Sequence, residues 1–222
     1  MAVGTKAGMI RAFLAVELTD DLRRAVALVQ QEVRRRIEGA ARRGSRITWV
    51  KPAALHLTIK FLGETDEQIL EPLRAAVQQA IAGRRALSVP LMRIGGFPRM
   101  QSPRVLWIGP EEGWGQSEDC AETIAWQHAV DEGCRQFGFP PEAKPFSPHL
   151  TIARIKEGER QVGQTLANSG LLDRPLEVGA LPVNRLSFVK SELRPEGPVY
   201  TKLWELHVGH GPGAAGEHYQ DE

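Results

Sequence analysis

Only two cysteines and two tyrosines occur among the 222 residues, and formal net charge is only +1. The scarcity of cysteine excludes a disulfide scaffold. Cys120 and Cys134 fall in a stretch expected to be one helix, from Asp119 to about Gln136. Fourteen residues of helix separate Cα atoms by ~21 Å, whereas a disulfide spans ~7 Å at most. Two lone thiols do not make a zinc site either. Long apolar runs are also missing, and none approaches the ~20 residues that a bilayer crossing needs. The N-terminal MAVGTKAGMIRAF carries no continuous apolar core of a secretory leader. These absences predict a cytoplasmic protein with no membrane partner.

What is present is ordinary globular material, 42% hydrophobic and 25% charged, enough for one domain or two closely packed lobes with a sizeable core. Charge is unevenly spread. Residues 1–60 carry more than twice as many Lys and Arg as Asp and Glu, so the remainder is net acidic. Arg34, Arg35, Arg36, Arg42, Arg43 and Arg46 supply much of the excess. Such a cluster attracts phosphates or is simply a solvated helix end.

The pattern of apolar residues predicts an order of elements. RAFLAVEL (11–18) reads as a strand, and Thr19 caps a helix to Glu38 with Leu22, Val26, Val29, Val33 and Ile37 on one face. Strands at 47–50 and 55–61 follow, the second ended by Gly63. Thr65 and Gln68 have capping-box spacing for a helix to about Ala82, although Pro72 favours a later start. Strands at 87–94 and 105–108 precede an acidic glycine-rich loop, Gly109 to Ser117. The second half repeats the first: a helix to Gln136, a strand at 149–153, a helix at about 159–169, and strands at 183–189 and 200–208. Gly209 onward reads as a flexible tail, residues 209–222, beyond a single domain spanning 1–208.

The repeat organises the chain. LHLTIKFLGE (55–64) and PHLTIARIKE (148–157) share the tetrapeptide HLTI, each copy between helices. The expected fold is α+β and bilobal, each lobe an antiparallel sheet backed by helices, with a cleft between them. Alternation along a strand puts His56 and Thr58 on one face and Leu57 and Ile59 on the other, and likewise for His149 and Thr151 against Leu150 and Ile152. Facing lobes would bring two imidazoles and two hydroxyls together.

Those groups suit phosphoryl transfer. With a reference pKa near ~6.5, one imidazole can be neutral and the other protonated around neutrality. The neutral ring takes a proton from a nucleophile, and the protonated ring supplies a leaving oxygen. Threonine hydroxyls donate to non-bridging phosphate oxygens. A single His-x-Thr on a strand is more often structural; two copies in matching surroundings argue for a site. Metal ligation competes, but neither motif includes a carboxylate, and His–Thr is poor ligand chemistry.

With these motifs the chain resembles the two-histidine phosphoesterase superfamily, and within it the bacterial and archaeal RNA 2′,3′-cyclic phosphodiesterases, also described as 2′-5′ RNA ligases. The similarity runs from Arg11 to Val208. Its landmarks are RAFLAVEL (11–18), WVKPAALHLTIKFLGE (49–64), GGFP (95–98), PRVLWIG (103–109), SPHLTIAR (147–154) and GPVYTKL (197–203). The resemblance implies a bilobal, pseudo-twofold fold and cofactor-free hydrolysis of RNA 2′,3′-cyclic phosphate ends to 2′-phosphates, with reversible 2′-5′ ligation and tRNA fragments among the expected substrates. It implies His56 as proton donor, His149 as proton acceptor, and Thr58 and Thr151 as phosphate-binding residues. The acidic loop and Gly-rich tail depart from the family pattern.

Further candidates surround the motifs. Arg154 is a candidate substrate-binding residue, but strict alternation places it on the Leu150 face unless the strand bends. Lys60 is expected on the His56 face, most simply as a solvated lysine. Phe13, Trp49, Trp107 and Tyr200 are base-stacking candidates or core. His128, His207, His210 and His218 are expected to be structural or exposed. Two other functions remain open, namely action on a small cyclic nucleotide derivative and non-catalytic RNA binding. A monomer is the expected state.

Overall fold

A computed structural model describes residues 8–40, 44–195 and 197–208. Arg42, Arg43, His210, His218 and the expected tail lie outside the described residues.

The strand expected first is β1 (Met9–Glu17), followed by α1 (Asp20–Ala40) and β2 (Arg46–Trp49). The first HLTI copy opens β3 (His56–Asp66), which leads through a 3-10 turn to α2 (Leu70–Ile81). The run expected as one strand at 87–94 splits into β4 (Leu87–Pro90) and β5 (Arg93–Phe97), which join different sheets. Then come β6 (Val105–Gly109), α3 (Glu118–Arg135), β7 (Leu150–Glu157) and α4 (Glu159–Ala167). The chain closes with β8 (Ala180–Val183), β9 (Arg185–Arg194) and β10 (Gly197–His207).

Two expectations fail for local reasons. Gly63 does not end β3; at φ 71° it takes a left-handed conformation, and pairing with β1 continues to Asp66. The capping box at Thr65 does not form, because Thr65 Oγ1 bonds Gly63 O and Asp66 accepts from Gln68 N instead. Pro72 sits within the first turn of α2, where its missing N–H is harmless.

Eight strands form one antiparallel sheet, ordered β10-β9-β1-β3-β7-β6-β5, with β2 on the remaining part of β7. The sheet has two halves of four strands. They meet at one pair of residues, Leu57 of β3 and Leu150 of β7. Strands β4 and β8 form a separate ribbon.

The helices cross between halves. Gln30 of α1 is buried, and its side-chain amide donates to Val50 O (2.7 Å) and Ile152 O (2.8 Å), so α1 backs the β7 half. Helix α4 joins it there. Gly163 lies so close to the carbonyls of Met100 and Gln101 that a Cβ would sit 2.5 Å from one of them. Helix α3 backs the other half with α2, and Gly133 lets α3 approach the Val77 backbone. Each helix buries an apolar stripe: Val26, Val33 and Ile37 on α1, and Leu73, Val77 and Ile81 on α2.

Candidate active site

Leu57 and Leu150 are the second residues of the two HLTI copies, so the halves join at the motifs themselves. Extending this antiparallel pairing one residue each way sets His56 across from Thr151 and Thr58 across from His149. A pseudo-twofold axis runs through the leucine pair. The leucines turn into the core, both fully buried, and all four polar side chains are half-buried on the opposite face.

Both imidazoles are oriented in the same way. His56 Nδ1 lies 2.9 Å from Ala54 O, and His149 Nδ1 lies 2.7 Å from Ser147 O. A carbonyl only accepts, so Nδ1 carries the proton in each ring and Nε2 is left for other chemistry. Aromatic rings hold the imidazoles from the side. Phe13 stacks on His56 with centroids 4.7 Å apart, and Tyr200 meets His56 edge-on at 5.3 Å. Phe97 meets His149 edge-on at 4.9 Å, and Trp107 lies 6.2 Å from it. Trp107 in turn lies directly on Gly95, where a Cβ would come within 2.0 Å of the indole. Arg93 stacks over that indole at 5.3 Å and ion-pairs with Glu112, anchoring the acidic loop, which forms a 3-10 turn from Glu112 to Gln116.

Arg154 is on the motif face, contrary to strict alternation. Trp107 pairs with Thr151 but Leu106 with Ala153, so Ile152 is an extra residue in β7. This bulge resets the alternation and turns Arg154 to the side of Thr151. The same device operates in β3, where Ala15 pairs with Thr58 but Leu14 with Lys60. Lys60 therefore turns into the core, and the expectation of a solvated lysine at the cleft fails. Its ammonium is 2.7 Å from Asp131 of α3 and donates to Pro140 O at 2.7 Å. Asp131 also accepts from Glu142 N, so the pair ties β3 and α3 to the loop that delivers His149.

Burial pushes the pKa of both histidines below the ordinary value, and the backbone hydrogen bonds oppose that shift. The Arg154 charge lowers both further, Glu17 raises His56, and the charge of His149 lowers His56. One guanidinium thus acts on both rings.

The other candidates separate cleanly. Phe13 is buried at the site, Tyr200 is half-buried there, and Trp107 is buried beside His149, so core and site readings both hold for these rings. Trp49 of β2 packs on the hydrophobic core. His128 is exposed on α3, and His207 lies 3.8 Å from Glu205. Arg34, Arg35, Arg36 and Arg46 pair with Glu38, Glu32, Glu32 and Glu157 respectively. Cys120 and Cys134 are free and buried, and burial pushes the Cys134 thiol up to about 12. No group of three or more His, Cys, Asp or Glu among the described residues is placed to hold a metal ion. No helix among them is long and apolar enough to cross a membrane.

Comparison with known proteins bears on the family and the fold. The family described as LigT like Phosphoesterase matches residues 16–107 and 116–200. An RNA 2′,3′-cyclic phosphodiesterase of Methanothermobacter thermautotrophicus is 32% identical over 195 residues, covering 87% of this chain and 96% of that protein. One from Thermus thermophilus is 34% identical over 206 residues, covering 91% and 93%. A Thermus thermophilus protein of known crystal structure superimposes with TM-score 0.66 at 28% identity, covering 90% and 98%. The apo form of Escherichia coli LigT shares the fold at TM-score 0.68 and 19% identity, covering 92% and 100%. With matches on both sides of the acidic loop and both HLTI strands inside them, the chain belongs to the LigT like phosphoesterase family.

Proposed function

We propose that this protein hydrolyses 2′,3′-cyclic phosphates at RNA ends to 2′-phosphates, with His56 as proton donor and His149 as proton acceptor. The observation that carries this reading is the pair of Nδ1-anchored imidazoles around the Leu57–Leu150 junction. The curated relatives named RNA 2′,3′-cyclic phosphodiesterase support the substrate class.

Neutral His149 Nε2 takes a proton from water as the water oxygen bonds to phosphorus. The bond from phosphorus to O3′ breaks, and protonated His56 Nε2 gives its proton to that oxygen. The phosphate remains on O2′. Thr58 and Thr151 donate to the non-bridging oxygens, and Arg154 offsets their charge. Burial and Arg154 disfavour protonation of His56, whereas the anionic substrate favours it. The donor is therefore completed by the substrate it acts on. The same steps with an RNA 5′-hydroxyl in place of water give 2′-5′ ligation, and their reversal cleaves that linkage back to the cyclic phosphate and a 5′-hydroxyl. The protein is read as cytoplasmic, with tRNA fragments among its substrates.

The test is incubation of EDTA-treated protein with an RNA ending in a 2′,3′-cyclic phosphate, followed by mapping of the product phosphate. A 2′-phosphate is expected, with turnover intact. A 3′-phosphate would reverse the histidine roles, and turnover that needs an added divalent ion would remove the mechanism.

A further inference from the structure

The pseudo-twofold axis through Leu57 and Leu150 equates the two motif strands, and it also equates the strands beside them. Val16 of β1 lies across from Leu57, and Ile108 of β6 lies across from Leu150. One residue further along β1, Glu17 lies across from His56. Its mate is Gly109, which the same antiparallel step sets across from His149. Residues directly opposite in such a pair hold their Cβ atoms ~4.5–5.5 Å apart. One imidazole therefore has a carboxylate side chain as its cross-strand neighbour, and the other has only a hydrogen atom.

The glycine is required where it stands. A Cβ at Gly109 would lie 2.9 Å from Pro148 O and 3.1 Å from the Trp107 ring. The first is backbone next to His149 and the second a buried indole, and neither gives way without strain. No carboxylate fits on that side. On the other side, Glu17 is held by Lys202 of β10 at 3.0 Å, and Lys202 also bonds Glu205 at 2.8 Å. Strand β10 has no mate either, because β5 ends the sheet in the other half among the described residues. The anion and the cation that holds it are thus departures from the pseudo-symmetry, both on the side of His56.

We infer that Glu17 is a positioning residue that directs the proton of the histidine pair to His56, and thereby fixes His56 as the donor. This rests on the proposed reaction at the same site. The two rings are otherwise alike, each with an Nδ1–carbonyl anchor and each within the field of Arg154. Around His56 stand Glu17 of β1, Tyr200 and Lys202 of β10, and His149 and Arg154 of β7. Burial pushes the Tyr200 phenol up, so it stays neutral, and Glu17 is the anion of this set. Around His149 stand Gly109 of β6, Phe97 of β5 and Arg154, with Arg93 further out over Trp107. A neighbouring carboxylate favours an imidazolium, and here it raises His56 alone. With one proton on the pair, Glu17 shifts the balance toward the state protonated at His56. Only that state has a proton beside O3′ and a free base beside water.

The experiment follows the proton itself. The His56 and His149 imidazoles are titrated by NMR in ligand-free wild type, Glu17→Gln, Glu17→Asp and Lys202→Met, and melting curves check the fold. Glu17→Gln removes an anion that favours the imidazolium, so His56 is expected to titrate at lower pH while His149 shows no fall. Glu17→Asp keeps the charge and should restore His56 toward its wild-type value. Lys202→Met breaks the same ion pair but leaves the anion, so His56 should not fall; this separates the charge of Glu17 from the loss of a structural contact. In steady state, the loss of kcat/KM in Glu17→Gln should grow as pH rises through the alkaline limb, which general damage to the fold would not produce. An unmoved His56 in Glu17→Gln, equal falls in both rings, or a fall in Lys202→Met matching that in Glu17→Gln overturns the inference. Wild-type protein that opens no 2′,3′-cyclic phosphate overturns the proposed reaction instead, and the titrations still decide whether Glu17 directs the proton.

Discussion

At the scale of single residues, the site depends on how two similar imidazoles are made to differ. Both have the same backbone anchor and both are lowered by burial and by Arg154, but only His56 has Glu17 opposite it across β1 and β3. Lowered values in the free enzyme place both limbs of the kcat/KM profile below ~6.5. A bound phosphate raises both, so the kcat profile should lie to the alkaline side of the kcat/KM profile. Arg154→Met removes a cation that disfavours protonation, so both limbs should move to higher pH while the rate falls. Glu17→Gln removes an anion that favours protonation of His56, so only the alkaline limb should move, and to lower pH. His149→Ala should erase the acidic limb and His56→Ala the alkaline limb, each with at least a ~10²-fold loss. A pH–rate series on these four variants checks the assignment. Unmoved limbs in Arg154→Met would separate that charge from the pair. Thr58→Val or Thr151→Val should cost ~10²–10³ in kcat if each hydroxyl donates to a phosphate oxygen, and steady-state kinetics on folded variants decides it.

At the scale of elements, the motif faces are legible in the sequence because a strand has period two, and His-x-Thr obeys it. The bulges are not. A bulge leaves no mark in composition, and HLTIKF and HLTIAR read as uninterrupted alternation until pairing with β1 and β6 is known. That is why alternation alone puts Lys60 outside and Arg154 inside. The bulge in β7 is held by a remote residue, Gln30, whose amide donates to the carbonyl of the extra residue Ile152. Gln30→Leu deprives Val50 O of this donor, while Ile152 O keeps the Val50 N–H at 3.0 Å, and a buried carbonyl so deprived costs ~1–3 kcal/mol. Activity should fall beyond what stability explains, because Arg154 loses its fixed direction; chemical denaturation alongside kcat would show it. A silent Gln30→Leu would mean that strand pairing alone maintains the bulge. Gly95→Ala drives a methyl into Trp107, and overpacking of this kind costs ~1–3 kcal/mol. The expected readout is a lower midpoint together with altered packing at His149.

At the scale of the whole molecule, the two halves are legible as a repeat, but their interlocking is not, because helix stripes do not name the sheet they pack on. Helix α1 leaves β1 and backs the β7 half, whereas α3 precedes β7 and backs the β3 half. Each half therefore lends its partner a helix, although the sheet joins them only at Leu57–Leu150. Each half loses one of its two covering helices if the other unfolds. This predicts one cooperative transition. The test places a lesion in one half and a reporter in the other. Lys60→Met removes one partner of an ion pair whose side chains are 1% and 7% exposed, a change that costs ~3–5 kcal/mol because it leaves Asp131 buried and unpaired. Trp204 packs on Phe188 in the β3 half, and Trp107 lies in the β7 half. In single-tryptophan backgrounds, both reporters should lose signal at the same lowered denaturant midpoint, coincident with loss of far-UV ellipticity. Independent halves would instead leave the Trp107 midpoint near its wild-type value while that of Trp204 falls, and the two traces would separate. Coincidence would also explain why the proposed acid–base pair can sit on a junction of one residue pair, since the exchanged helices hold the motifs in register from behind.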